Sequence, residues 1–115
     1  MAINRELEKL YFADKEERDK LKDDDIEAQE ALVQNDIMRL TRAKEILHEI
    51  DTTEIWNCQY LALLFQHGDT VKDYEKAHNF AKKAVEMGSN VTKWLYAATL
   101  DRLLVAQGKP QKFGT

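Results

Sequence analysis

Glycine and proline are scarce in this chain, and their spacing restricts the fold more than any other feature of the sequence. Residues 1–67 contain neither, and the breaks that follow at Gly68, Gly88 and Gly108 are evenly spaced, about twenty residues apart. Long helices can run between such breaks, and the alternation of β-branched residues that would indicate strands is missing. The sequence therefore predicts an all-α fold whose helices are joined by short loops.

Apolar residues at three- and four-residue spacing predict about five helices. We expect the first over residues 3–22, the second from Asp24 or Asp25 to about Ile50, the third from Thr52 to His67, the fourth over residues 71–87, and the fifth from a cap at Ser89 or Asn90 to the residue before Gly108. The third helix is apolar on nearly every side, which is typical of a central helix. The chain should therefore form a compact bundle of orthogonal and antiparallel helices.

Local signals predict the ends and faces of these helices in more detail. Asp51 and Glu54 have the spacing of a capping box for the third helix. The second helix is long enough for a break near residues 34–35. Its inner face is predicted to hold Val33, Ile37, Leu40, Ala43, Leu47 and Ile50, and the inner face of the fifth helix begins at Val91.

Length, charge and cysteine usage set the broad class of protein. A chain of 115 residues, of which 43% are hydrophobic, fits a single domain with one core. The net charge of -4 leaves no basic field for phosphates, so we expect no nucleic-acid partner. Cys58 is the only cysteine, which rules out an internal disulfide and fits a reducing compartment. No apolar run is long enough to cross a bilayer and the amino-terminal segment is charged, so the sequence predicts a soluble, acidic, cytoplasmic protein with no membrane partner.

The fourth and fifth helices, joined by residues 88–90, look like a tetratricopeptide or Sel1-type helical hairpin. No second copy of the unit follows at the offset of about 34 to 40 residues that such repeats require. The sequence therefore predicts a single hairpin of this type at the carboxyl-terminal end of the bundle rather than a solenoid.

Catalytic and cofactor signatures are missing. The chain has no glycine-rich phosphate loop, no His-Glu-x-x-His, no nucleophile elbow and no Cys-x-x-Cys. His48, His67 and His78 share no ligand spacing, so no metal site and no cofactor are predicted. Cys58 has no activating motif beside it, and a small apolar filler in a buried helix is the more ordinary role for it.

Six polar residues nevertheless fall on helix faces that should be apolar, or directly beside them. They come from the first, third and fifth helices: Asp14, Arg18, Gln66, His67, Asp101 and Arg102. One interpretation is a buried ion-pair network that fixes helix register, with Asp101 bonded to Arg18 or Arg102. The other is the lining of a pocket, in which an Asp–Arg pair stays charged and a histidine exchanges protons near neutral pH. The sequence alone does not decide between them.

The same polar residues resemble the pattern of domain-of-unknown-function family 6624, an uncharacterised and mostly bacterial helical family. The matching elements are Asp14-x-x-x-Arg18, the pair Gln66-His67, the pair Asp101-Arg102, and a tail of the form Gly-x-x-Gln-x-(Tyr/Phe)-Gly-Thr over residues 108–115. The chain departs from the family at residues 50–53, where a Gly-Trp-Pro-like turn is usual, in lacking the usual Gln after Asp14, and in ending at Thr115, beyond which the family pattern continues. Since the family has no assigned activity, the resemblance implies which polar residues belong together and supplies no reaction.

The tail should be ordered and should fold back onto the bundle. Pro110 stops the last helix, Phe113 offers an aromatic anchor for an apolar groove, and Gln111 can bond a helix terminus.

Two functions of different class follow from these residues. The first is a pocket for a small molecule or peptide, with His67 as the proton-transfer group, Asp101 as its orienting carboxylate, and Arg18 or Arg102 as an anion clamp; Asp14, Gln66 and Gln111 complete the lining. The second is a non-catalytic interaction module, in which the polar set is structural and an exposed groove binds a partner helix or a second copy. The first predicts one cavity reached by all these side chains, and the second predicts exposed apolar residues such as Trp56 or Trp94.

Overall fold

The computed structural model describes residues 2–90 and 92–115, and over these ranges it contains helices and no strand. Five α-helices and one short 3₁₀ segment make up the fold: α1 Arg5–Lys20, α2 Ile26–Ile46, the 3₁₀ segment Leu47–Glu49, α3 Ile55–Gln66, α4 Val71–Glu86 and α5 Lys93–Ala106. The predicted all-α bundle of about five helices is therefore confirmed. Val91, which the sequence assigned to the fifth helix, lies outside the described residues.

Side-chain caps explain where three of the helices begin. The Asn4 side chain accepts a hydrogen bond from the backbone N–H of Leu7, and the Asp25 side chain accepts one from Ala28, which confirms Asp25 as a helix cap. The Thr70 hydroxyl accepts a hydrogen bond from the N–H of Asp73 at the start of α4. Each of these oxygens satisfies a backbone donor that a helix end would otherwise leave free.

The predicted capping box at the start of the third helix is wrong. Glu54 itself is the N-cap, and its carboxylate accepts from the N–H of Asn57 at 2.8 Å. Asp51 accepts instead from the N–H of Thr53 at 2.9 Å and closes a separate turn. As a result α3 begins at Ile55 rather than at Thr52.

Glycines end α4 and α5 in the way the sequence predicts. Gly88 has φ 102°, and the N–H of Ser89 donates to the carbonyl of Ala84. Gly108 has φ 76°, and the N–H of Lys109 donates to the carbonyl of Leu104. Both ends are Schellman motifs, which need a residue that tolerates a left-handed backbone.

The core surrounds α3, as its apolar composition predicts. Eight of its residues are buried, and α3 packs against all four of the other α-helices. Its largest fully buried side chain is Phe65, which lies against Phe80 of α4. Other buried apolar core residues include Leu7, Tyr11, Leu40, Ala43, Ile46, Ile50, Tyr60, Leu61, Leu64 and Ala77. α4 and α5 also pack against each other, while the likeness of this hairpin to tetratricopeptide or Sel1 repeats stays a prediction.

The predicted inner face of α2 is partly wrong. Val33 and Ile37 are each 56% exposed, and the helix runs without a break through residues 34–35. Polar residues take the inward positions in this part of α2, because Asp36 and Arg39 pair with side chains of α1. Only from Leu40 onward does the inward face become apolar.

Asn57 joins three parts of the chain from the first turn of α3. Its side chain is fully buried and accepts a hydrogen bond from the N–H of Asn4 at 2.9 Å. Its amide nitrogen donates to the carbonyls of Ala2 at 3.1 Å and Asp51 at 3.0 Å. One side chain therefore fixes both the segment before α1 and the segment before α3 on the core.

None of the helices in the described ranges is both long enough and apolar enough to cross a membrane.

Candidate functional site

A buried ion-pair cluster lies where α1, α2 and the end of α3 meet. Asp14 is fully buried, and its Oδ1 atom lies 2.5 Å from Nη1 of Arg18 one helical turn later. The same guanidinium binds both oxygens of Asp36 on α2, at 3.0 and 2.8 Å. Arg18 thus bridges two carboxylates from different helices, which fixes the register of α1 against α2.

Arg39 of α2 is the second guanidinium of the cluster. Its Nη2 atom lies 2.6 Å from Oε1 of Glu17, 3.3 Å from Oδ1 of Asp36 and 3.7 Å from Oδ1 of Asp14. The cluster then holds three carboxylates and two guanidiniums, so its formal charge is about -1 when the neighbouring imidazole is neutral.

These contacts displace the pKa values of two groups in the cluster. Burial on its own raises the pKa of Asp36, but the hydrogen bonds and charge of Arg18 outweigh burial and leave that pKa below its usual value. Burial likewise opposes the charge of Arg18, and the hydrogen bonds of Asp36 together with the charge of Asp14 outweigh it and raise the pKa. Both groups therefore hold their charges more strongly than they would in water.

His67 adds an imidazole to the cluster from the carboxyl-terminal cap of α3. Its Nδ1 atom lies 3.1 Å from Oδ2 of Asp14 and 4.0 Å from Oδ1 of Asp36. Despite the short distance, the orientation does not make a hydrogen bond: Nδ1 of His67 and Oδ2 of Asp14 are both buried without a hydrogen-bond partner in the described part of the chain. The two groups are close enough to share a proton after a small rotation of the ring.

One potential ligand atom from each of Asp14, Asp36 and His67 lies within 4.8 Å of the others, so these residues could hold a metal ion. Arg18 and Arg39 compete for the oxygens of both carboxylates. Because a cation there would meet two guanidiniums, the cluster fits ion pairing and proton exchange better than metal binding.

His67 is also reached from two clefts. The first, which we call the His67 cleft, has a volume of about 380 Å³ and lies between α1, α3 and α5. It is lined by Tyr11, Lys15, Arg18, Asp19, Gln59, Leu63, His67, Thr92, Trp94 and Leu95. The second, of about 430 Å³, also borders His67 and lies between α2 and the start of α4. The His67 side chain is 19% exposed, so solvent and small molecules can reach it.

The second cleft is bounded by a further buried carboxylate. Asp73 is 4% exposed and pairs with Nζ of Lys44 at 2.8 Å. Burial raises its pKa, but the hydrogen bonds of Lys44 and Thr70 outweigh that effect and lower it. Gly68 allows this packing, because a Cβ atom at that position would lie 2.5 Å from Oδ2 and 2.6 Å from Cβ of Asp73.

Asp101 does not belong to this cluster, contrary to the sequence prediction. Its buried carboxylate accepts hydrogen bonds from the backbone N–H groups of Lys112, Phe113 and Thr115 and from the Thr115 hydroxyl, at 2.7 to 2.9 Å. The predicted pairing of Asp101 with Arg18 or Arg102 is therefore wrong, and so is its predicted role beside His67. The carboxylate that lies beside His67 is that of Asp14, not that of Asp101.

The tail is ordered, as predicted, but it is held by Asp101 rather than by its aromatic residue. Phe113 is 48% exposed instead of lying in a groove, and the Gln111 side chain donates to the carbonyl of Thr115 rather than to a helix terminus. The sequence could not reveal this arrangement, because the donors that Asp101 binds are mainly backbone groups.

We predict that Asp101→Asn releases the tail. Asparagine would replace one acceptor oxygen by a donor that faces backbone N–H groups, so at least two of the four hydrogen bonds would be lost. Amide hydrogen exchange at Lys112, Phe113 and Thr115 should become fast, while exchange in α3 stays slow. Unchanged protection of the tail would contradict the assigned role of Asp101.

Acid should release the tail in the unsubstituted protein too. Burial raises the pKa of Asp101, but the amides of Phe113 and Thr115, the Thr115 hydroxyl and the Lys112 amide outweigh it and lower that pKa strongly. The stabilisation is therefore present above the unfolded-state pKa of about 3.9 and is lost as the pH falls through the lower folded-state value.

A third cleft, the Arg102 cleft, lies beside the tail. It has a volume of about 530 Å³ and is lined by Gln66, Tyr74, Trp94, Ala98, Asp101, Arg102, Val105, Ala106, Gln111 and Thr115. The six predicted polar residues therefore divide into two groups. Asp14, Arg18 and His67 belong to the ion-pair cluster, whereas Gln66, Asp101 and Arg102 line the Arg102 cleft together with Gln111, and Trp94 borders both this cleft and the His67 cleft.

Sequence reasoning missed three members of the ion-pair cluster: Glu17, Asp36 and Arg39. Two of them could have been found from one signal, since Asp36 and Arg39 are an acid and a base one turn apart on the helix that follows Asp14 and Arg18. Comparison of the chain with protein-family models, curated proteins and solved structures found no match. The resemblance to family 6624 and the cytoplasmic location stay predictions.

Proposed function

We propose that this protein binds a small anionic ligand or a peptide carboxylate in the His67 cleft, and that His67 exchanges a proton with the bound molecule. The observation that supports this most is the position of His67, whose ring lies against the fully buried Asp14 on one side and borders an open cleft. Among the described residues, no other histidine borders one of the clefts next to a buried carboxylate.

An anion fits this cleft because its wall carries two cations, Lys15 and Arg18, and one carboxylate, Asp19. Lys15 lies 5.7 Å from the centre of the Tyr11 ring and has no hydrogen bond or ion pair among the described residues, so its ammonium group is free to bind a ligand. Arg18 adds a second positive charge, although its guanidinium is already bound by Asp14 and Asp36. Lys15 should therefore make the main ionic contact.

The surroundings of His67 suit proton exchange. An imidazole can accept and donate a proton near neutral pH, and its second nitrogen fixes which atom faces the ligand. Asp14 can hold Nδ1 of His67 because Arg18 restrains the other carboxylate oxygen at 2.5 Å. In this proposal Asp14 of α1 takes the orienting role that the sequence assigned to Asp101.

The test compares His67→Gln with His48→Gln in a ligand-observed NMR screen of small carboxylic and phosphoric acids. We expect ligands of the His67 cleft to bind His67→Gln at least about tenfold more weakly than they bind the unsubstituted protein. His48 is a matched control, because its side chain is 75% exposed on the 3₁₀ segment away from the cleft. The proposal would be contradicted if every ligand found in the screen bound all three proteins equally.

The same variant must remain folded for the result to be meaningful. Because Nδ1 of His67 makes no aligned hydrogen bond, its removal should lower the free energy of unfolding by only about 1 kcal/mol. Chemical denaturation measures this change. Severe unfolding would make His67 a structural residue instead.

A second candidate function is a non-catalytic interaction module, which exposed apolar residues favour. Trp56 is 44% exposed and Trp94 is 68% exposed. α2 presents a further exposed apolar stripe of Ile26, Val33 and Ile37. If this stripe binds a second copy of the chain, sedimentation should show a concentration-dependent dimer that Val33→Lys abolishes; a monomer at every concentration would exclude that interface.

A further inference from the structure

We propose that the Arg102 cleft is a second binding site, specific for a carboxylate attached to an N-acylated aromatic amino acid, either free or as the last residue of a peptide. This site goes beyond the His67 cleft, because its charged and polar lining residues are different and only Trp94 is shared. It can therefore exist whether or not His67 exchanges protons.

Arg102 indicates that the ligand carries a carboxylate. Its guanidinium lies 5.2 Å from the centre of the Tyr74 ring, and stacking on an aromatic face restricts the orientation of a guanidinium while leaving its N–H groups free. Arg102 has no hydrogen bond or ion pair with any other described residue. Its planar set of donors is thus available for a carboxylate, which it can bind through two parallel hydrogen bonds.

Asp101, the acid next to Arg102 in the sequence, does not form an ion pair with it. Asp101 has the only acidic side chain that lines the cleft, and each of its carboxylate oxygens already accepts two hydrogen bonds from the tail. Its negative charge is therefore shared among four donors. Among the side chains lining the cleft, that of Arg102 is the only cation and the only charged one without a partner.

The apolar residues that line the rest of the cleft indicate that the ligand carries an aromatic ring. Trp94 is 68% exposed and borders the cleft, and the side chains of Ala98, Val105 and Ala106 add apolar surface. An exposed indole ring can stack on an aromatic group of the ligand. A volume of about 530 Å³ lies within the usual range for small-ligand sites and suits one ring with its carboxylate.

Gln66 indicates that the ligand has an amide N–H, as an acylated amino group does. Its amide nitrogen lies 3.5 Å from the carbonyl oxygen of Ala98, while its amide oxygen is buried and has no hydrogen-bond partner among the described residues. A buried acceptor without a donor is costly. After a small turn of the Gln66 side chain, an amide N–H of the ligand would satisfy this oxygen.

The test uses N-acetylphenylalanine and N-acetylphenylalaninamide, which differ only in the carboxylate. Titrations followed by ¹⁵N–¹H NMR should give an affinity for the acid at least about tenfold higher than for the amide. Arg102→Gln should remove this difference, whereas Arg5→Gln should keep it, since Arg5 is exposed and pairs with Glu8 on α1. Equal binding of the acid and the amide by the unsubstituted protein would overturn the proposal.

Tryptophan variants test the aromatic contact. Trp94→Leu should weaken binding of N-acetylphenylalanine about tenfold, and Trp56→Leu should not weaken it, because Trp56 lies outside this cleft. Equal effects of the two substitutions would contradict stacking on Trp94.

Two further titrations separate the possible sources of the ligand and the two proposed sites. Tighter binding of an acetylated tripeptide that ends in phenylalanine would identify a peptide terminus, and equal or weaker binding would identify a free acyl amino acid. His67→Gln should leave the affinity for N-acetylphenylalanine unchanged. Loss of that affinity in His67→Gln would place the ligand in the His67 cleft and overturn a separate site at Arg102.

Discussion

Replacing Arg39 with methionine should lower the free energy of unfolding by about 3 to 5 kcal/mol, because it breaks a buried ion-pair network from one side. The Arg39 side chain is 7% exposed and lies within 4 Å of the carboxylates of Glu17, Asp36 and Asp14. Without it, the cluster keeps three carboxylates and one guanidinium, that of Arg18, which of the three binds only Asp14 and Asp36. Methionine keeps most of the apolar stem, so the loss reports on charge rather than on packing. Urea denaturation followed by circular dichroism measures the change.

Arg42→Met is the matched control for this prediction. Arg42 lies one turn further along the same helix and also pairs with an acid of α1, Glu6. Both partners of that pair are nearly half exposed, and pairs of this kind contribute about 1 kcal/mol or less. If the two substitutions destabilise the protein equally, the cluster around Arg39 is no more than a surface ion pair.

The ion-pair cluster also explains which parts of the fold could be predicted from the sequence. Helix ends were predictable at Asp25, Gly88 and Gly108, because each depends on a single local residue and its own backbone. The start of α3 was not, because Asp51 and Glu54 both have the right side chain for a cap. Only the backbone conformation decides that Glu54 bonds to Asn57 while Asp51 closes a turn.

The face of α2 shows a second limit of sequence reasoning. Periodicity assigns inward positions to apolar residues, yet Asp36 and Arg39 point inward while Val33 and Ile37 are exposed. A charged residue can occupy an inward position when its charge is matched, and the matching residues lie on α1, about 20 residues earlier in the chain. Pairing at that separation depends on how the helices pack, which the pattern within one helix does not contain.

The sequence identified the polar residues of the candidate sites, but it did not show which of them lie together. His67, Asp14 and Arg18 were recognised as misplaced polar residues, and they do lie together. Asp101 was recognised by the same reasoning and lies in a different cleft, where it holds the tail. A buried carboxylate needs donors, and the sequence does not distinguish arginine donors from backbone donors.

A final prediction concerns Asn57, whose replacement by alanine should lower the free energy of unfolding by about 3 kcal/mol. The side chain is fully buried and makes three hydrogen bonds to backbone groups of Ala2, Asn4 and Asp51. Alanine would leave one backbone donor and two backbone acceptors without their partner, and would leave a small cavity. Since these groups belong to the segments before α1 and before α3, both segments should loosen together.

Asn79→Ala is the matched control, because Asn79 is exposed on α4 and should cost less than about 0.5 kcal/mol. Hydrogen exchange distinguishes the expected mechanism from general destabilisation. In Asn57→Ala the amide of Asn4, which donates to the Asn57 side chain, should exchange faster than the amides in the middle of α4. Uniform acceleration across the chain would show that Asn57 contributes to the core as a whole rather than as a junction between two segments. The ion-pair cluster lies at the opposite end of α3 from Asn57, so the His67 cleft should keep its ligand affinity in this variant as long as the protein remains folded.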